Sequence, residues 1–193
     1  MADGFIRWYR ESGATSVFAE QVQLFEEHGI GLVHPVRGAA VVLDVEGGQV
    51  LMPPEEVGRL LGLRISSITM DWWFSADIDV VDSYSYEPLG CEIQTLWLDG
   101  LTQEQADTVE AAVVAAATGL PTPTRAVIVD RRGVGDPDEW DSAVLYEGEG
   151  LPVVRDRVLV REPLKGKLLR SSPELRSEEA GAGLTLLSPA RPL

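Results

Sequence analysis

The chain has 193 residues and a formal net charge of −15, from 31 acidic and 16 basic side chains. That balance excludes a general nucleic-acid binder, because phosphate binding requires clustered cations. A hydrophobic fraction of 45% excludes a disordered chain, and a single cysteine, Cys91, excludes an internal disulfide or a cysteine-based zinc site.

The N-terminus, Met1-Ala2-Asp3-Gly4-Phe5, lacks the basic and then apolar run of a signal peptide, and no apolar stretch approaches the roughly 20 residues of a membrane span. A cytoplasmic protein with no membrane contact is expected. Fourteen arginines against two lysines point to a GC-rich, bacterial source.

In chain order, Ser16–His28 carries Val17, Phe18, Val22, Leu24 and Phe25 at helical spacing, with Gly29 as the stop. Ala39–Val45 and Gln49–Met52 flank Glu46-Gly47-Gly48 and predict a hairpin. Pro53-Pro54 opens a short helix with Glu55 and Glu56 in its first turn, and Gly62 ends it. Ile65–Phe74, Ile78–Tyr86 and Cys91–Leu98 are rich in β-branched and aromatic residues and predict three strands, with Cys91 as a small core residue. Thr102–Thr118 predicts a helix with a capping box, Thr102 with Gln105, and a buried stripe of Ala106, Val109, Val113 and Ala116. Arg125–Asp130, Ser142–Tyr146 and Pro152–Val160 read as further strands.

These elements predict an α+β domain over 1–162: an antiparallel sheet of about five to seven strands packed by two or three helices. Beyond Pro163 apolar periodicity fades, so 163–193 reads as a flexible or loosely docked, loosely structured C-terminal tail.

Charge is distributed unevenly. Residues 65–124 contain no Lys, Arg or His, yet carry ten acids: Asp71, Asp77, Asp79, Asp82, Glu87, Glu92, Asp99, Glu104, Asp107 and Glu110. The stretch 155–176 is locally +4 and is able either to fold back on that block or to remain a solvated tail. A block of carboxylates without local cations projects a negative field that must be answered by a cation, a basic partner or another part of the chain. Trp72, Trp73 and Tyr84 lie among these acids and suit either a core cluster or an interface anchor. The leading expectation is therefore a non-catalytic binding protein of the inhibitor or immunity type, an antitoxin in effect. It would present Asp71, Trp72, Trp73, Asp77, Asp79, Asp82 and Tyr84 to a basic protein partner and need no cofactor. A subunit or scaffold of a larger assembly is a further reading.

Ser75-Ala76-Asp77-Ile78-Asp79-Val80-Val81 resembles the acidic strand of the nucleotidyltransferase superfamily. The resemblance covers seven residues. It implies Mg²⁺ or Mn²⁺ held by Asp77 and Asp79 for phosphoester chemistry, with Asp99 or Asp130 as the third carboxylate. Where that family has a Gly-Ser turn opening a helix, this chain has Ser66-Ser67-Ile68-Thr69, without the glycine. His28 and His34 lack zinc-hydrolase spacing, and Gly133-Val134-Gly135-Asp136 lacks the Lys-Ser/Thr of a phosphate-binding loop.

Overall fold

A computed structural model describes residues 3–13, 17–64, 67–87, 90–146 and 148–190. Ten strands form one antiparallel sheet: β1 (Phe5–Glu11), β2 (Ala40–Leu43), β3 (Gln49–Met52), β4 (Ile68–Ser75), β5 (Ile78–Glu87), β6 (Cys91–Trp97), β7 (Thr124–Asp130), β8 (Arg157–Val160), β9 (Arg176–Gly181) and β10 (Leu184–Ser188). Their spatial order is β3-β2-β4-β5-β6-β1-β7-β8-β10-β9. Five helices accompany them: α1 (Phe18–Glu27), α2 (Pro54–Gly62), α3 (Gln103–Gly119), α4 (Asp141–Leu145) and α5 (Leu164–Ser171). A 3-10 turn, Pro137–Trp140, leads into α4.

This architecture corrects the sequence expectation of five to seven strands, two or three helices and a loose tail. Two regions account for the difference. The first is β1, whose Phe5-Ile6-Arg7-Trp8-Tyr9-Arg10 run pairs with both β6 and β7 at the middle of the sheet. The second is the C-terminal stretch. It supplies α5 and the β9–β10 hairpin, and β10 pairs with β8. Strand β9 (Arg-Ser-Glu-Glu-Ala-Gly) shows no apolar alternation because it is an exposed edge, held by its ladder to β10. Ser142–Tyr146, expected as a strand, lies mostly within α4. The segment Asp136-Pro137-Asp138 starts the turn before it, with the Asp136 side chain accepting from the Asp138 amide at 2.9 Å.

Other expected elements form near their predicted places. The capping box of α3 is complete: Thr102 Oγ1 accepts from the Gln105 amide, and Gln105 Oε1 accepts from the Thr102 amide. Gly47 takes φ +80° in the β2–β3 turn, a conformation that side chains with a Cβ rarely adopt.

Two layers cover the sheet. One face carries Ile6, Trp8, Met70, Trp72, Val80, Leu96, Val127 and Val129 and is sealed by α1, α2 and α3 through Phe18, Phe25, Val57, Leu61, Val109 and Val113. The other carries Phe5, Tyr9, Ile93, Ala126, Ile128, Val158 and Val160 and is covered by Trp140, α4 and α5. The second cover spans β6 to β10, and no residue of β4 or β5 belongs to its core. Among the described residues, no helix is long and apolar enough to cross a membrane.

Candidate functional site

The register places the seven residues singled out from sequence on different faces. Met70, Trp72, Asp82 and Tyr84 share the helix-covered face, while Asp71, Trp73 and Asp79 point the other way. Trp72 is fully buried, its ring 4.6 Å from Phe25 and 6.0 Å from Phe18 of α1. Its Nε1 donates to Asp82 Oδ2 at 2.9 Å, and Gln94 Nε2 donates to the same oxygen at 2.7 Å. Tyr84 is buried beside them. Trp73 packs on His34, ring centroids 4.3 Å apart, beneath the segment where Gly31 bridges to β4. Asp71 is 3% exposed.

The expected docking surface of Asp71, Trp72, Trp73, Asp82 and Tyr84 is therefore interior. The reason is steric: α1 and the 29–38 loop lie over the strands that carry these residues, and aromatic side chains bury more apolar area than any alternative filling. Burial sets their protonation as well. Asp82 is pushed up to about 6 by desolvation, partly opposed by the Trp72 and Gln94 hydrogen bonds and by Arg10. Asp71 is likewise pushed up to about 6, by burial and then by neighbouring Asp79, with Arg37 opposing.

Asp77 is exposed, but it lies in the two-residue turn before β5 rather than in the strand; Asp79 is half-buried opposite Trp73. The two carboxylates thus do not stand at alternate positions of one strand, which is the arrangement the nucleotidyltransferase resemblance requires. Among the described residues, no group of three or more His, Cys, Asp or Glu side chains is placed to hold a metal ion. Burial pushes the Cys91 thiol up to about 11, an inert thiol.

The stretch without cations in sequence is not without them in space. Arg131 pairs with Asp107 and Glu110, Arg157 reaches Glu110 at 2.8 Å, and Arg10 holds Glu92 at 2.7 Å. Guanidinium groups from both flanking thirds therefore neutralise Glu92, Asp107 and Glu110.

A different surface is open. Where the second cover stops, β5, the end of β6 and the side of the 136–141 segment enclose a groove of about 550 Å³. Its floor is hydroxyl-rich: Ser83 and Ser85 from β5 and Thr95 from β6, with Trp97 beside them. Trp97 Nε1 donates to Ser83 Oγ at 3.2 Å, and its ring meets Phe5 edge-on. Asp136, Asp138 and Asp141 form one wall, and Glu87 also lines the groove.

The one cation lining the groove among the described residues, Arg7, is already engaged. It donates through Nε to Tyr9 Oη at 2.9 Å, through Nη1 to Thr95 Oγ1 at 3.0 Å, and through Nη2 to both Asp141 oxygens at 2.8 and 3.0 Å. Asp138 adds a contact at 3.0 Å, and Tyr9 Oη donates to Asp141 at 2.7 Å. Burial raises the Tyr9 phenol well above its ordinary range, which keeps it a neutral donor. Burial pulls the Arg7 guanidinium down, but Tyr9 and Asp141 outweigh it and hold the group charged. The groove thus has a rigid, preorganised floor, excess negative charge on its wall and an indole at its edge.

Sequence reasoning missed this site because it assigned no strand to Phe5–Glu11. The signal was present in Phe5–Arg10, an aromatic and β-branched run of the kind found in strands. The Asp-Pro start of the turn at 136–137 was a second one. No protein-family model, curated protein or solved structure matches the chain.

Proposed function

We propose that this chain is a non-catalytic acidic binding protein of the inhibitor or immunity type, and that a basic segment of a partner protein docks in the groove between β5–β6 and Asp136–Asp141. The observation that carries this reading is the charge asymmetry of that groove: four carboxylates face a polar floor whose single guanidinium is already bound. An extended segment with Lys or Arg at alternate positions would reach the acid wall, while its polar backbone meets Ser83, Ser85 and Thr95. Complementary charge speeds encounter and selects the partner, and Trp97 supplies an anchor of the kind enriched in interfaces. The acidic face comprises Glu87, Asp136, Asp138 and Asp141 in place of the buried β4–β5 residues.

A synthetic peptide of alternating lysine and threonine, titrated calorimetrically against the full chain, tests the reading. Binding should weaken as salt rises and should be lost when Asp136→Asn and Asp138→Asn are combined. Peptide binding indifferent to that pair, or equal binding of an alternating glutamate–threonine peptide, would overturn it.

A further inference from the structure

A second cavity lies on the other side of α4. It has a volume of about 430 Å³, within the range of small-molecule sites. One side is apolar: Ala143, Val144 and Leu145 of α4, with Leu164 of α5. The other side is cationic: Arg125 at the start of β7, Arg161 at the end of β8 and Lys167 in α5. Three cations converge on one cleft in a chain whose net charge is −15.

Two acids share the lining, so three cations stand against two carboxylates. Glu162 Oε2 accepts from the Gly166 amide at 3.1 Å and is committed to the first turn of α5. Glu11 stands 3.9 Å from Arg125 Nε. Arg161 carries the most telling detail. Its Nε is buried with no hydrogen-bond partner, and among the described residues no carboxylate lies within ion-pair distance of it. Arg155 also has a buried Nε without a hydrogen bond, but its side chain holds Glu139, and Arg157 pairs through Nε with Asp156 at 3.5 Å and through Nη2 with Glu110. A desolvated guanidinium donor without an acceptor is costly, and an anion delivered to the cleft would answer it.

We propose that this cleft binds a small amphipathic anion, its apolar body against Val144, Leu145 and Leu164 and its carboxylate or phosphate headgroup at Arg161, with Arg125 and Lys167 adding charge. The inference is independent of partner docking in the acidic groove. An apolar wall facing a set of guanidinium and ammonium groups selects for both halves of such a ligand: a bare inorganic anion forgoes the wall, and a neutral lipid leaves Arg161 unanswered.

Isothermal titration of the full chain with octanoate, octyl phosphate, octanol and octyltrimethylammonium tests it. One or both anions should bind at sub-millimolar concentration, and the tighter of the two names the headgroup. Octanol should bind at least tenfold more weakly, and the ammonium compound should not bind. Arg161→Gln should weaken anion binding at least tenfold, Arg161→Lys should recover part of the loss, and Val144→Trp should abolish binding by filling the cleft. Octanol binding as tightly as the anions, or anion binding unchanged by Arg161→Gln and Val144→Trp in folded protein, would overturn the proposal. So would the absence of anion binding at millimolar concentration.

Discussion

The two faces of the sheet treat charge in opposite ways. Under α1–α3, charged groups are enclosed: Asp82 is fully buried, Arg10 and Glu92 pair out of water, and Trp72 seals the space between them and α1. Around α4, Arg7 is buried against Asp141, and the remaining charge is sorted at the surface. Asp141 at the helix start faces the acidic groove, while Ala143–Leu145 line the cationic cleft. One helix of five residues thus separates two cavities of opposite sign. The reach of the covering layer decides which carboxylates another molecule can meet. A full cover buried Asp71, Asp82, Glu92 and Glu110 of the most acidic segment of the sequence. A partial cover left open a groove whose floor comes from that segment but whose acid wall, Asp136, Asp138 and Asp141, comes from outside it.

The largest effect that would break this contrast is expected at Asp141, at the start of α4. Asp141→Ala removes the acceptor that Arg7 and Tyr9 share and leaves Arg7 only the exposed carboxylate of Asp138, and breaking a largely buried pair costs about 3 kcal/mol. Urea denaturation should show that loss; a change below about 1 kcal/mol would mean that Arg7 is held by Asp138 and water instead.

The next effect has the opposite sign and lies on the sealed face. Asp82 in the fold titrates near 6 against about 3.8 in the unfolded chain. Between those values the fold holds a proton that the unfolded chain has released, so stability falls as pH rises from about 4 to 6 and then levels off. Asp82→Asn keeps an oxygen for Trp72 and Gln94 and removes the buried charge. It should stabilise the protein by about 2 kcal/mol at pH 7.5, because displacing a titration by one pH unit corresponds to about 1.4 kcal/mol and the new amide gives back part of the gain. The gain should vanish near pH 4. Asp71, also raised to about 6, would preserve a similar slope in the variant. Equal thermal midpoints for the variant and the parent at pH 7.5 would contradict an ionised, desolvated Asp82.

Asp136→Asn with Asp138→Asn should change stability by less than about 1 kcal/mol, since exposed ion pairs contribute little. The same pair should abolish binding of the lysine–threonine peptide, which separates a docking role from a structural one. Asp77→Ala is expected to be the mildest change, within about 0.5 kcal/mol and without effect on peptide binding, because the residue sits exposed in a turn. A measurable effect on either readout would return the β4–β5 turn to the docking surface.

Several elements are legible from local physics. The capping box and stripe of α3 name a helix whatever surrounds it. The Gly47-Gly48 turn between two apolar runs names the β2–β3 hairpin, and the aromatic and β-branched composition of 68–97 names three strands. Other features carry no such local mark. β9 is a strand because β10 lies beside it, and α4 is a helix because the turn at 137–140 feeds it. The acidic groove combines residues 7, 83, 95 and 141, which no spacing rule joins.

The order of residues alone determined the ends of α3, the β2–β3 turn and the excess of negative charge, since these follow from backbone preferences and composition over a few positions. Tertiary structure alone decided which acids found a guanidinium, which tryptophans went dark and where the two cavities opened. Coulomb and hydrophobic forces act across space, and Arg131, Arg157 and Arg10 reach their carboxylates from parts of the chain 21 to 82 positions away.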